Sequence, residues 1–212
     1  MPSKGRLAEK SAATRAVLIA AAREVFAQGS FAETSIEDIV RRAKVTRGAL
    51  YHHFDGKLEL FCAVYEAMEA ELAARSMLAA SKGSNPLEMT QLGVEAFLEA
   101  CLEPDVQRIV LIEAVGVLGW ETWEEIGERH NFGLLRAGIV ASIDAGQLDP
   151  RPPDMLTHLI QGALMRAGLV VARAEDPLAA KDAMSAEIRK LLESLKAQPR
   201  ERLRLTTKRK LK

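Results

Sequence analysis

The 212 residues predict an all-α chain, with a small N-terminal helical head and a larger helical body. Three observations carry that expectation. Apolar residues recur at i, i+3, i+4 and i+7 through most of the chain, and no segment sustains the period-two alternation of a half-buried strand. Pro104, Gly119, Pro150, Pro152, Pro153 and Pro177 punctuate the second half at intervals suited to helices. The formal net charge of zero hides a division: residues 1–57 carry +4, residues 58–197 carry −10 and residues 198–212 carry +6. A basic head on an acidic body suits a protein that presents one end to a polyanion.

Residues 1–11 are polar, basic and without period, so a flexible arm is expected there. From Ala12 to Gln28 the set Leu18, Ala21, Ala22, Val25 and Phe26 keeps helical spacing, with Val17 partly on the stripe and Gly29 at a C-cap position. Arg15 is placed to reach phosphates, and Arg23 reads as solvated. The stretch 34–57, TSIEDIVRRAKVTRGALYHHFDGK, follows. Its first helix has Ile36, Ile39, Val40 and Ala43 on one face, capped by Thr34 with Glu37 or by Ser35 with Asp38. The turn is Ala43-Lys44-Val45, and Thr46 caps a second helix running through about His52. Two short helices joined by so tight a turn match the DNA-binding helix-turn-helix, whose second helix enters the major groove. Phe31, Val45, Leu50 and Phe54 complete the core expected of the head.

Asp55-Gly56-Lys57 starts a long helix to about Ala80, with Leu58, Phe61, Cys62, Tyr65, Met68, Leu72 and Met77 as its apolar stripe. Lys57 in the first turn opposes the helix dipole unless something negative faces it. A loop at 81–86 precedes helical segments at about 87–102, 105–118, 121–147, 153–174 and 177–197. The domain division expected is an arm at 1–11, a helix-turn-helix domain at 12–56, a ligand-binding and dimerisation body at 57–197 and a basic flexible tail at 198–212.

The head resembles the TetR (tetracycline-repressor-like) family of bacterial regulators. The matching residues are the helix from Thr14-Arg15 to Gly29, Thr34 to Ile39, Val45 to Phe54 and Lys57 to Leu60. Lys44 departs from the pattern, since the family usually has Gly in that turn. A left-handed backbone there costs Lys on the order of 1 kcal/mol relative to Gly. The resemblance implies a homodimeric, ligand-responsive transcriptional regulator, most often a repressor. An effector in the body shifts the linking helix and changes the spacing of the two heads.

On that reading Thr46, Arg47, Gly48, Ala49, Tyr51 and His52 face the DNA. Arg47 suits guanine O6 and N7, and Gly48 and Ala49 allow close approach to a thymine methyl. Tyr51, His52, Lys57 and either Ser35 or Thr34 are expected to hold phosphates. For the effector, Trp120 and Trp123 with His130, Phe132, Met165 and Phe97 read as the wall of a pocket for an apolar or aromatic molecule, or as the cover of a helix junction. Glu113, within the apolar run 109–115, reads as exposed or ion-paired in preference to a ligand contact. The last two helices carry Gly162, Ala163, Leu164, Gly168, Met184, Ile188, Leu191, Leu192 and Leu195. They suit a two-fold four-helix interface, with the monomer core as the rival reading.

Other classes find less support. No apolar run approaches a membrane span, and the N-terminus lacks a secretory pattern, so a cytoplasmic protein is expected. Cys62 and Cys101 lie far apart inside helical patterns and read as buried thiols. His52 and His53 are adjacent and point to different faces, and no metal, nucleophile or phosphate-loop motif is present, so neither catalysis nor a cofactor is expected. A ligand-independent architectural DNA-binding protein is the main alternative, but bending DNA needs no acidic helical body of this size. A helical enzyme with scattered carboxylates is a more distant one.

Overall fold

The computed structural model describes residues 4–197, and the expected tail at 198–212 lies outside them. The described residues form ten α-helices and one π-helical segment, with an isolated antiparallel bridge between Leu148 and Lys196. The first helix, α1 (Lys4–Gln28), takes in most of the expected arm. The physical reason is local: Lys4 to Ser11 is rich in strong helix formers, and extending an existing helix needs no new nucleus.

The head is completed by α2 (Ile36–Ala43) and α3 (Arg47–Tyr51). Ser35, not Thr34, caps α2. Its hydroxyl accepts from the Asp38 N–H at 3.1 Å while the Asp38 carboxylate accepts from the Ser35 N–H at 3.4 Å, a reciprocal capping box. Thr46 caps α3 by accepting from the Ala49 N–H at 3.1 Å. Between them Lys44 sits at φ 55°, ψ 39°, in the left-handed region. It is the non-glycine residue with positive φ among those described.

The linking helix α4 (Lys57–Ala80) leads into α5 (Pro86–Ala100), which Asn85 caps and Pro86 opens. The π segment Val106–Glu113 continues as α6 (Ala114–Leu118), followed by α7 (Trp120–Arg129), α8 (Asn131–Asp144), α9 (Pro153–Arg173) and α10 (Pro177–Ser194). The single helix expected over 121–147 is therefore broken. His130, at φ −126°, ψ −108°, separates α7 from α8. Ile126 of α7 enters one core cluster and Leu135 and Ile139 of α8 enter another, and one straight helix could not face both. Apolar spacing continues through the break, so periodicity did not reveal it.

The first cluster joins Leu18, Phe26, Ile39, Leu50 and Phe54 of the head to Phe61, Val64 and Met68 of α4 and Ile109 of the π segment. The second joins α5, α8, α9 and α10. Apolar packing is thus continuous across residue 57. Leu58 and Met77, expected on the buried stripe of α4, are exposed, as is Val17 on α1. Helix α9 is long and apolar enough to cross a bilayer by length and composition, which sequence reading had not expected of any segment. Its Leu156, Ile160, Leu164 and Val171 are core, and its outer face exposes Met155 and Leu159 beside Asp154, His158 and Arg166.

Lys44→Gly should raise stability by about 0.5–1 kcal/mol, because glycine removes the left-handed penalty while adding some freedom to the unfolded chain. A shift of the urea midpoint to higher concentration at constant m-value is the expected result. An unchanged or lower midpoint would mean that Lys44 is not strained.

Candidate nucleic-acid interface and effector cavity

On α3, Leu50 is buried in the head core while Thr46, Arg47, Gly48, Tyr51 and His52 are exposed and Ala49 is half-buried. The guanidinium of Arg47 pairs with Glu37 of α2, donates to the Tyr51 hydroxyl at 3.3 Å and lies 5.4 Å from the Tyr51 ring centroid. The fork is therefore held on the exposed face of the head between Glu37 and Tyr51. His52 packs its ring against His53 at 5.1 Å.

Three residues expected at the phosphates are placed otherwise. Thr34 is buried, and the Ser35 hydroxyl is engaged with Asp38 in the capping box. The Lys57 ammonium donates to the carbonyls of Phe31 at 2.6 Å and Thr34 at 2.8 Å, and sits 4.4 Å from the Phe31 ring centroid. These carbonyl oxygens are the partners of the ammonium at the start of α4. Lys57 thus acts as a clamp inside the head.

Phe31 is also held from the body. Its N–H donates to Glu113 Oε2 at 2.8 Å, and Glu113 pairs with Arg108 at 3.2 Å, so the carboxylate in the apolar run is a structural ion pair. Arg23, expected in solvent, donates from α1 to Asp105 at 2.7 Å and to Glu71 of α4 at 2.6 Å. These bonds fasten head, linking helix and π segment to one another.

Between α4, α5, α8 and α9 lies a cavity of about 280 Å³. Its wall is apolar, including Met89, Val94, Phe97, Leu134, Leu135 and Leu164, with Ser76, Thr90, Asn131 and Gln161 as the polar side chains. Of the residues expected around an effector, Phe97 lines it. Trp120 is 59% exposed, donates from its indole to Glu124 at 3.1 Å and packs on Trp123 at 5.2 Å. Phe132 is buried against His158, and His130 faces Glu66 at 4.0 Å. Met165 packs at the edge of the second core cluster. The tryptophans therefore cover the α6–α7 junction, the other reading of that stretch.

Sequence reading missed the buried carboxylate of this region. Glu69 of α4, 5% exposed, accepts from Asn131 Nδ2 at 2.8 Å, and the Tyr65 hydroxyl interacts with the same carboxylate. Burial pushes the Glu69 carboxyl above its ordinary range, a shift opposed by the hydrogen bonds from Asn131 and Tyr65. The signal was available, since Glu69 follows Tyr65 and Met68 on the apolar side of α4.

The residues expected at a dimer interface divide. Gly162 and Leu191 are exposed, and Ala163, Met184 and Leu195 are half-buried. Leu164, Ile188 and Leu192 are buried in their own chain. Gly168 is buried too: a Cβ there would lie 2.9 Å from Cys101 Sγ. The Cys101 thiol is pushed up to about 12 by burial. The exposed large apolar residues of this end are Met155, Leu159, Leu178 and Leu191, with Leu159 at 73%.

Residues 18–64 match the family described as bacterial regulatory proteins, tetR family, and residues 87–195 match a tetracyclin repressor-like C-terminal domain. The Transposon Tn10 TetC protein of Escherichia coli is 27% identical over 173 residues, 80% of this chain and 85% of that protein. The crystal structure of a TetR-family transcriptional regulator from Pectobacterium atrosepticum is similar at a TM-score of 0.76 and 35% identity, covering 94% of this chain and 100% of that one. RolR, crystallised with resorcinol, shares the fold at a TM-score of 0.65 and 21% identity, covering 91% of this chain and 98% of its own.

Lys57→Met keeps the aliphatic stem but removes two charge-assisted hydrogen bonds. It should lower stability by about 2–3 kcal/mol, since two partly buried carbonyls lose their partner. Urea unfolding at constant m-value measures this. A loss below about 0.5 kcal/mol, together with weakened DNA binding, would return Lys57 to the phosphates.

Proposed function

The chain belongs to the tetR family of bacterial regulatory proteins and is a DNA-binding transcriptional regulator, not an enzyme. From that premise we propose that it is a homodimeric repressor of a palindromic operator, released when a small apolar molecule enters the body cavity. One observation carries the reading. The helix that holds the reading head through Lys57 also supplies Ser76 and Ala80 to the cavity wall. A ligand there acts only through its differential affinity for the two dispositions of α4. A hundredfold preference for the DNA-incompetent form weakens operator binding by up to roughly 2.7 kcal/mol per site.

The proposed DNA face is Thr46, Arg47, Gly48, Ala49, Tyr51 and His52, with Arg47 reading a base. For the dimer, Met155, Leu159 and Gly162 fall on one stripe of α9 at i, i+4 and i+7. A Cβ at Gly162 would meet nothing within 4 Å in its own chain, which leaves room for a partner helix. RolR binds resorcinol, and a small uncharged ligand of that kind suits the apolar wall here. An architectural protein without a ligand has no use for such a cavity.

Selection from random duplexes should return a palindrome whose half-sites repeat on the helical turn, about 34–36 Å. Arg47→Ala should cost roughly 1–3 kcal/mol of affinity and relax preference at one base pair. A uniform loss across sequences would assign Arg47 to a phosphate instead.

Leu159→Glu and Gly162→Glu place a charge on the proposed interface while sparing the core. Both should run as monomers in light scattering, with poor operator affinity. Dimers of undiminished stability in both variants would place the interface on another surface.

A further inference from the structure

The polar chemistry of the cavity narrows what it accepts, and this inference rests on reading it as the effector site. An apolar cavity of about 150 Å³ holds a benzene ring. Scaled at the same space per atom, the 280 Å³ present here takes about eleven non-hydrogen atoms. None of the lining side chains is charged, so an ionic group would enter without a counter-charge.

Of the four polar side chains, Ser76 and Gln161 can each donate or accept and so do not discriminate. The Thr90 hydroxyl donates to the Pro86 carbonyl at 2.9 Å, which leaves it an acceptor. Asn131 is one-sided for a stronger reason. Its Nδ2 donates to the Glu69 carboxylate at 2.8 Å and to the Glu69 carbonyl at 3.2 Å, so both amide protons are committed and only Oδ1 is left to offer. Asn131 is half-buried, and an acceptor fixed in this way favours an occupant with an N–H or O–H, because an occupant that covers it without one leaves it unpaired. An anion would meet Oδ1 with the Glu69 carboxylate behind it. An ammonium gains little, because Glu69 does not line the cavity and its oxygens face Asn131 and Tyr65.

We propose that the cavity selects an uncharged molecule of one ring or one short chain that carries a hydrogen-bond donor, a substituted phenol being the simplest case. The donor bonds to Asn131 Oδ1, and Glu69 is the positioning residue that fixes the amide. Because Glu69 lies on α4 and Asn131 opens α8, the occupant is bonded directly to the residue that ties α8 to the linking helix.

The test is calorimetric titration of the full chain with 4-propylphenol, its methyl ether 4-propylanisole, 4-propylbenzoate and 4-propylbenzylamine. The phenol should bind at least tenfold more tightly than the ether, and the two ions more weakly than either. Asn131→Leu should bring the phenol-to-ether ratio close to one, while Gln161→Leu should leave it unchanged. Glu69→Gln covers the case in which Asn131→Leu fails to fold. An amide at position 69 can donate to Asn131 Oδ1, so the ratio should again fall. Val94→Trp, which fills the cavity from a buried position, should abolish binding of all four probes.

Equal binding of phenol and ether by the parent chain, tightest binding of the ammonium, or binding that survives Val94→Trp would each overturn the proposal. Release of DNA is read separately, on the selected palindrome. Phenol binding without release overturns the effector reading and leaves the ligand class standing. Release by the ether as readily as by the phenol, at matching affinities, overturns the ligand class alone.

Discussion

The contact on which the rest depends is the ammonium of Lys57 against the carbonyls of Phe31 and Thr34. A cation at a helix N-terminus is ordinarily unfavourable. Here two carbonyl oxygens from the loop between α1 and α2 accept its hydrogen bonds, and the Phe31 ring lies beneath it. Phe31 also gives its N–H to Glu113 of the π segment. One residue is thus gripped from the linking helix through its carbonyl and from the body through its N–H. The orientation of the helix-turn-helix is set there, because α2 follows within five residues.

That grip explains why the molecule does not divide cleanly at residue 57. Phe26, Phe31 and Phe61 form an aromatic cluster with centroid separations of 5.1–5.9 Å, built from α1, the loop and α4. The π segment packs against it through Ile109 and Val110, and its next residue, Leu111, enters the second cluster. Three consecutive buried residues ask a helix to be apolar over more than one narrow stripe, and the wider turn of a π-helix presents them to two cores. Head, linking helix and π segment are therefore joined by packed contacts, by the ion pairs of Arg23 and by the Phe31–Glu113 hydrogen bond.

What the sequence made legible was local. Caps at Ser35 and Thr46, the turn at Lys44 and the inward Leu50 are fixed by residues within a few positions of one another, and each acts through backbone geometry that any helix-turn-helix shares. The cavity was not legible. Its wall comes from four helices, and several of its residues, such as Gly93, Ala137 and Gly138, matter for the bulk they lack. Large residues drew attention to Trp120 and Trp123 instead, although size alone does not say which way a side chain faces. The apolar faces of α9 and α10 were visible as spacing, but core and outer stripes are both apolar there, so Leu192 and Leu159 could not be sorted without the tertiary structure.

Gly168 of α9 leads to a different kind of constraint. A methyl at that position would crowd the Cys101 sulfur at 2.9 Å and the Leu111 methyls at 3.0 and 3.2 Å, in a region packed as tightly as any core. As sequences of this kind drift, positions 101 and 168 are not independent. Bulk added at 168 requires room from both the Cys101 sulfur and the Leu111 methyls. The side chains that α9 can carry there are to that extent set by its spacing from the end of α5 and from the π segment.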